Sequence, residues 1–222
     1  EAAEAVGRAP GPLRVALSTK FPFTAFPARL HPEIRAALNT VAGQLEQLGH
    51  TVRPDDPEYG LQLSVDFLAR STSGLAEWRH RVGPGVALDR RTRSNIRTGW
   101  LLSENALRQA RRREKSLQRR IGWIFNLYDV VLAPTTAQPP PLIDAFDRLG
   151  STATDRAIIA ACPVCWPWNA LGWPSINIPA GFTADGLPIG VQLMGPEGSE
   201  PLLISLAASL EAITGWATKQ PT

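Results

Sequence analysis

Cys162 and Cys165 stand in Cys-Pro-Val-Cys, the spacing of dithiol redox centres and of metal sites. No second pair and no nearby histidine accompany them, and they do not follow a first strand as a thioredoxin-like motif would. Two reduced thiols are therefore expected, and not a redox or metal centre. A second candidate is RQARRREKSLQRR over 108–120, whose arginines could contact phosphates. Its basic residues fall off the apolar seam of the helix and no aromatic residue interleaves with them, so a solvated outer face is expected and nucleic acid is not. His31, His50 and His80 have no serine or carboxylate set around them that spells a triad. His31 precedes a helix proline and His50 follows a helix-ending glycine, so both are read as boundary residues and not as catalytic bases.

The elements that must position these groups are legible from periodicity. Leu13 to Leu17 reads as a first strand. His31-Pro32-Glu33 opens a helix in which Ile34, Ala37, Leu38, Val41, Leu45 and Leu48 recur at helical spacing until Gly49 ends it, and His50-Thr51-Val52 begins another extended piece. Strand, helix, strand is an α/β pattern with one parallel crossover. Tyr59 to Arg81 is helical up to the Gly83-Pro84-Gly85 break, and a second helical stretch follows. The clearest helix runs from Ser103, as its N-cap, to Tyr128, with Leu107, Ala110, Leu117, Ile121, Ile124 and Tyr128 on one seam. Asp129 to Ala133 is a buried strand that stops at Pro134, residues 139–155 form an irregular excursion, and a short helix covers Thr154 to Ala161. Ser175 to Pro179 and Ile189 to Met194 read as two buried strands joined by an Asp185-Gly186 turn, Gly190 marking a close backbone approach. Ser199 is placed to cap a last helix with Leu202, Leu203, Leu206, Leu210 and Ile213 inward.

With 222 residues and 44% hydrophobic content the chain can bury a substantial core. The net charge of +3 reflects arginines gathered largely between Arg79 and Arg120. No stretch approaches the roughly 18 apolar residues of a membrane span and the opening EAAEAVGRAPGP is unlike a secretory leader, so a cytoplasmic protein with no membrane partner is expected. Residues 1–12 are expected to be a flexible tail or linker, 13–217 part of a single domain, and 218–222 a loose tail. Met194 is the single methionine, so the chain has the look of a piece of a longer polypeptide, a trimmed initiator giving the same appearance.

The ordered set of motifs His31-Pro32-Glu33, Leu48-Gly49-His50, the Gly99–Ser103 turn, DVVLAPT (129–135), Asn169-Ala-Leu-Gly-Trp-Pro174, Ile178-Pro179-Ala180-Gly181, GLPIGVQLMG (186–195) and Glu200 through Glu211 resembles the C-terminal half of the amidase signature family. That family includes bacterial amidases, the A subunit of glutamyl-tRNA amidotransferase and fatty acid amide hydrolases. The resemblance implies an α/β fold, a mixed β-sheet flanked by helices on both faces. It further implies hydrolysis or transfer of a carboxylic amide by a serine nucleophile, a second serine and a lysine base, with a glycine-serine loop stabilising the oxyanion and with no metal or organic cofactor. Those groups belong to the family's N-terminal half. This sequence has no Ser-Ser pair, and its three lysines, Lys20, Lys115 and Lys219, sit in a loop, on a charged helix face and in the tail. No catalytic residue is therefore assigned, and the chain by itself is expected to be inactive.

By the same resemblance the chain supplies sheet strands and part of the substrate pocket. The loop after Ala133 and the approach to the Asn169–Pro174 turn lie at strand ends, where α/β proteins place ligands, which makes Thr135, Trp168 and Asn169 the candidate substrate-binding residues. The plainer alternative is that Asn169 bonds the loop backbone and the tryptophans pack. Trp100, Trp123, Trp166, Trp168 and Trp173 are read as core or pocket wall, the density from 166 to 173 hinting at an aromatic or apolar acyl pocket. The expected partners are a small-molecule amide and either the missing N-terminal half or a second copy. A diverged, non-catalytic binding or assembly module is the alternative function, with a redox protein built on the two cysteines a distant third.

Overall fold

The structure, a computed structural model, describes residues 2–24, 26–83, 85–101 and 104–216. In chain order the elements are α1 (Ala2–Val6), β1 (Arg14–Leu17), α2 (Pro32–Gln47), β2 (Thr51–Pro54), α3 (Gly60–Val82), α4 (Arg90–Leu101) and α5 (Glu104–Ile121). A 3-10 turn over Gly122–Asn126 is followed by β3 (Val130–Pro134), α6 (Ser151–Ala161), α7 (Cys165–Leu171), β4 (Ser175–Phe182), β5 (Pro188–Met194) and α8 (Glu200–Thr214). Among the described residues the strands form one mixed sheet in the order β2-β1-β3-β5-β4. β1 pairs parallel with both β2 and β3, aligning Val15 with Val52 and Val130, whereas β5 runs antiparallel to β3 and β4.

Alternation along the central strands assigns each residue to one of two cores. Val15, Val130, Leu132, Val191 and Leu193 face the apolar stripes of α2 and α8, while Ala16, Val131, Ala133 and Met194 face Tyr59, Leu63, Leu117, Ile121 and Trp168 on the other side. β3 is buried along its whole length, as expected of a strand covered on both faces. α2 begins with Pro32 in its first turn, buries Ile34, Leu38, Val41 and Leu45, and stops where Gly49 takes a positive φ of 87°. The α/β class and the helix-flanked mixed sheet anticipated for the C-terminal half of an amidase signature fold are both present.

Several local expectations are corrected. Within residues 1–12, α1 packs on α8, with Ser205 Oγ donating to the carbonyl of Arg8. The last strand pair is not buried on both sides: β4 is the edge of the sheet, and Ile178 is its one buried residue. The long helix gives way at Gly122 to a 3-10 turn. Glycine is a weak helix former, and a Cβ there would lie 2.8 Å from the Trp173 ring. Ser199 precedes α8 without capping it, because its hydroxyl donates back to the Pro196 carbonyl at 2.7 Å. α6 begins at Ser151, three residues before the expected helix. Gly190 makes room for the Asn177 side chain of the neighbouring strand, and not for a backbone. The expected cap Ser103, the tail from Thr218 and Lys219 lie outside the described residues.

The arginine-rich helix is not wholly a solvated face. Arg113 reaches the buried carboxylate of Asp66 on α3 through Nη2 at 2.6 Å and Nε at 3.1 Å, and Gln62 Nε2 adds a third donor at 2.9 Å. The pairing raises the pKa of the Arg113 guanidinium above its ordinary value. A buried carboxylate requires such a partner, and nothing in the apolar periodicity of α5 announced it. Trp100 and Trp123 are exposed and not core, although Trp123 lines a shallow surface pocket with Trp173.

Candidate active-site cleft

The carboxyl end of β3 runs into a proline-rich loop whose conformation is set by Thr135. All three polar groups of that residue are engaged. Its N–H donates to the Gly190 carbonyl at 3.3 Å, its carbonyl accepts from Cys165 Sγ at 3.0 Å, and its hydroxyl pairs with Asn177 Oδ1 in a short hydrogen bond. Asn177 can approach because its neighbour across the strands has no side chain: a Cβ on Gly190 would stand 2.5 Å from Asn177 Oδ1. Nearby, Gln192 is buried and donates to the Pro134 carbonyl at 3.1 Å, which closes the end of the β3–β5 ladder. These contacts fix one wall of a cleft of about 820 Å3. Its other walls come from Thr40 and Gln44 of α2, Pro139–Pro141, Phe182 at the end of β4, and Trp216 beyond α8. None of the described lining residues is charged.

Cys162 lines this cleft, and Cys165 opens α7 behind it. Both are free thiols. Burial pushes both pKa values up, and the neighbouring Cys162 adds to the rise at Cys165, so at neutral pH these are thiols and not the depressed thiolates of a redox centre. Among the described residues no cluster of three or more histidine, cysteine or acidic side chains is arranged to hold a metal ion, and no helix is long and apolar enough to cross a membrane.

The three anticipated site residues are not brought together. Thr135 lies in the cleft wall. Trp168 is buried in the second core, where its ring makes edge contacts with Tyr59, Phe125 and Trp173 and its Nε1–H donates to the Gly195 carbonyl at 3.0 Å. Asn169 is exposed on α7 and is not part of the lining. In the dense tryptophan segment Trp168 lies within the second core, Trp166 and Trp173 pack against it half-buried, and Trp166 also stacks on Phe67 of α3. Asn177 was missed by sequence reasoning, although a polar residue set between two isoleucines on a strand, facing a strand that carries an interior glycine, was a usable signal.

The histidines sit where boundaries need them. The His31 N–H donates to the Ala137 carbonyl at 2.9 Å and ties the start of α2 to the cleft loop. His50 is buried, accepts the Leu13 N–H on Nδ1 at 3.1 Å, and has its pKa lowered by desolvation. Lys20 and Lys115, the lysines among the described residues, are exposed. At the opposite end of the sheet Arg14 and Asp129 pair, Nη2 to Oδ1 at 2.9 Å, which holds the Asp129 carboxyl below its ordinary pKa.

The family model Amidase matches residues 1–204. The chain belongs to the amidase family. A Mycobacterium tuberculosis protein named as an amidase, AmiA2, is 69% identical over 216 residues, covering 97% of this chain and 45% of its own length. AmiB2 of the same organism, also named as an amidase, is 35% identical over 98% of this chain and 47% of its own length. The chain therefore spans less than half the length of these relatives. Among solved structures, 6-aminohexanoate cyclic dimer hydrolase superposes on all of this chain with a TM-score of 0.77 at 23% identity, 49% of that chain being covered. A bacterial aryl acylamidase of the amidase signature enzymes superposes on 97% of this chain and 46% of its own, with a TM-score of 0.72 at 19% identity. These likenesses establish that the sheet and helices are those of the amidase signature fold.

Proposed function

We propose that this chain is the C-terminal half of a serine-dependent amide hydrolase, contributing strands and one wall of the substrate cleft while an N-terminal half carries the Ser-Ser-Lys machinery. The observation that carries this reading is a mismatch of extent. The family match covers 204 residues, yet the chain spans 45% of a 69%-identical relative and nowhere holds two adjacent serines. In the assembled enzyme a serine oxygen attacks the amide carbon, the C–N bond breaks as the amine or ammonia takes up a proton, and water then releases the acid and regenerates the serine. No group in this chain is assigned to those steps.

The β4 edge supports the same reading. A sheet edge presents unpaired N–H and C=O groups, and such an edge accepts a strand from another segment. Thr135 is proposed as a substrate-facing wall residue, because a residue whose N–H, carbonyl and hydroxyl are each hydrogen-bonded presents a fixed surface at little entropic cost on binding. The uncharged lining suits the apolar part of a neutral amide. Trp168 is proposed to act from behind, by holding α7 in place, and Asn169 to reach the substrate only once the second half is present. Two unpaired thiols fit a reducing, cytoplasmic setting.

The test is ammonia release from a panel of aliphatic and aromatic primary amides, using this chain alone and this chain co-produced with the unmatched remainder of AmiA2. Activity only in the co-produced pair is expected. Turnover by the chain alone would overturn the placement of the catalytic groups, and silence from both would favour a diverged binding module.

A further inference from the structure

α3 carries an uncharged stripe at spacings of three and four, formed by Leu61, Val65, Leu68, Thr72 and Ala76. Its two ends have opposite fates. Thr72 and Ala76 are buried beneath α4, which doubles back along α3 and approaches so closely at Gly99 that a Cβ there would lie 2.3 Å from the Thr72 carbonyl oxygen. Leu61, Val65 and Leu68 on the same stripe are 59%, 52% and 53% exposed. Two further apolar side chains border this bare end. The backbone of Phe23, a residue 57% exposed, is tied to α3 by the hydrogen bond from Ser64 Oγ to its carbonyl, and Leu101, 86% exposed, closes α4 two residues past the crossing. Together these five exposed apolar side chains, on and beside one face of α3, are the kind of grouping that marks an interaction site.

We infer that the bare end of the α3 stripe, bordered by Phe23 and Leu101, is a docking surface for the remainder of the amidase polypeptide that this chain lacks. The inference rests on the half-enzyme reading and goes beyond it in adding a helical contact to the sheet edge. The occupant follows from extent: more than half of each longer relative lies outside the matched region, and a partner of that size needs more than one strand to bind. A stable interface covers about 800 Å2 on each side, more than five side chains supply, so the β4 edge is expected to contribute as well. A second copy of this chain is the poorer occupant, because it brings no Ser-Ser pair and leaves both copies incomplete.

The experiment compares the wild-type chain with a Val65→Asp/Leu68→Asp variant, each co-produced with the unmatched remainder of AmiA2. Association is measured by titration, and hydroxyl-radical labelling is run on the wild-type chain free and in the complex. The two substitutions sit on exposed positions, so circular dichroism of the free variant is expected to be unchanged. In the complex we expect association at least tenfold weaker for the variant and protection of Phe23, Leu61 and Leu68 in the wild type. If the free variant is misfolded, the labelling of the wild type decides by itself. An active pair whose affinity ignores both substitutions and whose three side chains label as in the free chain would overturn the docking surface and leave the half-enzyme reading intact. A pair that neither associates nor hydrolyses amides would remove that reading and this inference with it. Protection of the same residues by self-association of the free wild-type chain, lost in the variant, would replace the proposed occupant with a second copy.

Discussion

Replacing Trp168 with phenylalanine separates a core strut from a pocket wall. The indole N–H donates to the Gly195 carbonyl at 3.0 Å in a buried setting, and phenylalanine cannot make that bond. Losing it costs about 1 kcal/mol, and leaving the Gly195 carbonyl unsatisfied adds roughly another 1 kcal/mol. The smaller ring leaves unfilled space among Tyr59, Phe125 and Trp173, worth about 1 kcal/mol more. The expected loss is therefore about 3 kcal/mol, which in a domain of this size lowers the melting temperature by roughly 6–12 °C. Chemical denaturation followed by far-ultraviolet circular dichroism measures it, with the slope against denaturant unchanged. Asn169→Ala, one residue away but exposed, is the internal comparison and is expected to stay within about 0.5 kcal/mol of wild type. A Trp168→Phe loss below about 1 kcal/mol would refute the packing argument and return Trp168 to the list of cleft residues.

Two further substitutions probe buried polar groups. The Tyr59 hydroxyl is buried without a hydrogen-bond partner among the described residues, and burial raises its pKa above the ordinary range, so it stays neutral; Tyr59→Phe removes the desolvation cost and is expected to gain up to about 1 kcal/mol in a urea titration, a clear loss counting against it. His50 accepts the Leu13 N–H only when Nδ1 is unprotonated, and desolvation lowers its folded pKa below the ordinary 6.5. The unfolded chain then binds the proton more readily, so the stabilisation is complete above about pH 6.5 and is lost as the pH falls through the folded pKa. Melting temperatures between pH 7.5 and 5 are expected to fall more steeply in wild type than in His50→Gln, and parallel curves would show that another group controls the slope.

Periodicity alone located α2, α3, α8 and the strands around Val131 and Val191, because those segments bury one face or both against the sheet and their apolar residues must recur accordingly. It failed where a side chain's partner is not set by the apolar pattern. Arg113 looks like every other arginine of α5 until the fold sets Asp66 of α3 opposite it. Ser199 has the composition of a cap, and only the approach of the Pro196 carbonyl turned its hydroxyl elsewhere. The segment Ser175–Pro179 reads as a buried strand because it is a short apolar run holding two isoleucines, but burial of an edge strand depends on a neighbour that sequence inside the strand does not encode.

The motif order by itself determined the family, the α/β class and the absence of a Ser-Ser pair, since these are properties of the residues present and their succession. Which residues share the cleft was decided only by tertiary structure. Thr135 and Asn177 are 42 positions apart and meet because β5 lies between their strands and carries a glycine where a side chain would have kept them separate. Trp168, adjacent in sequence to the exposed Asn169, points into the core because one helical step turns a side chain by about 100°. Sequence proximity could not distinguish the two; the direction of a helix face relative to the sheet did.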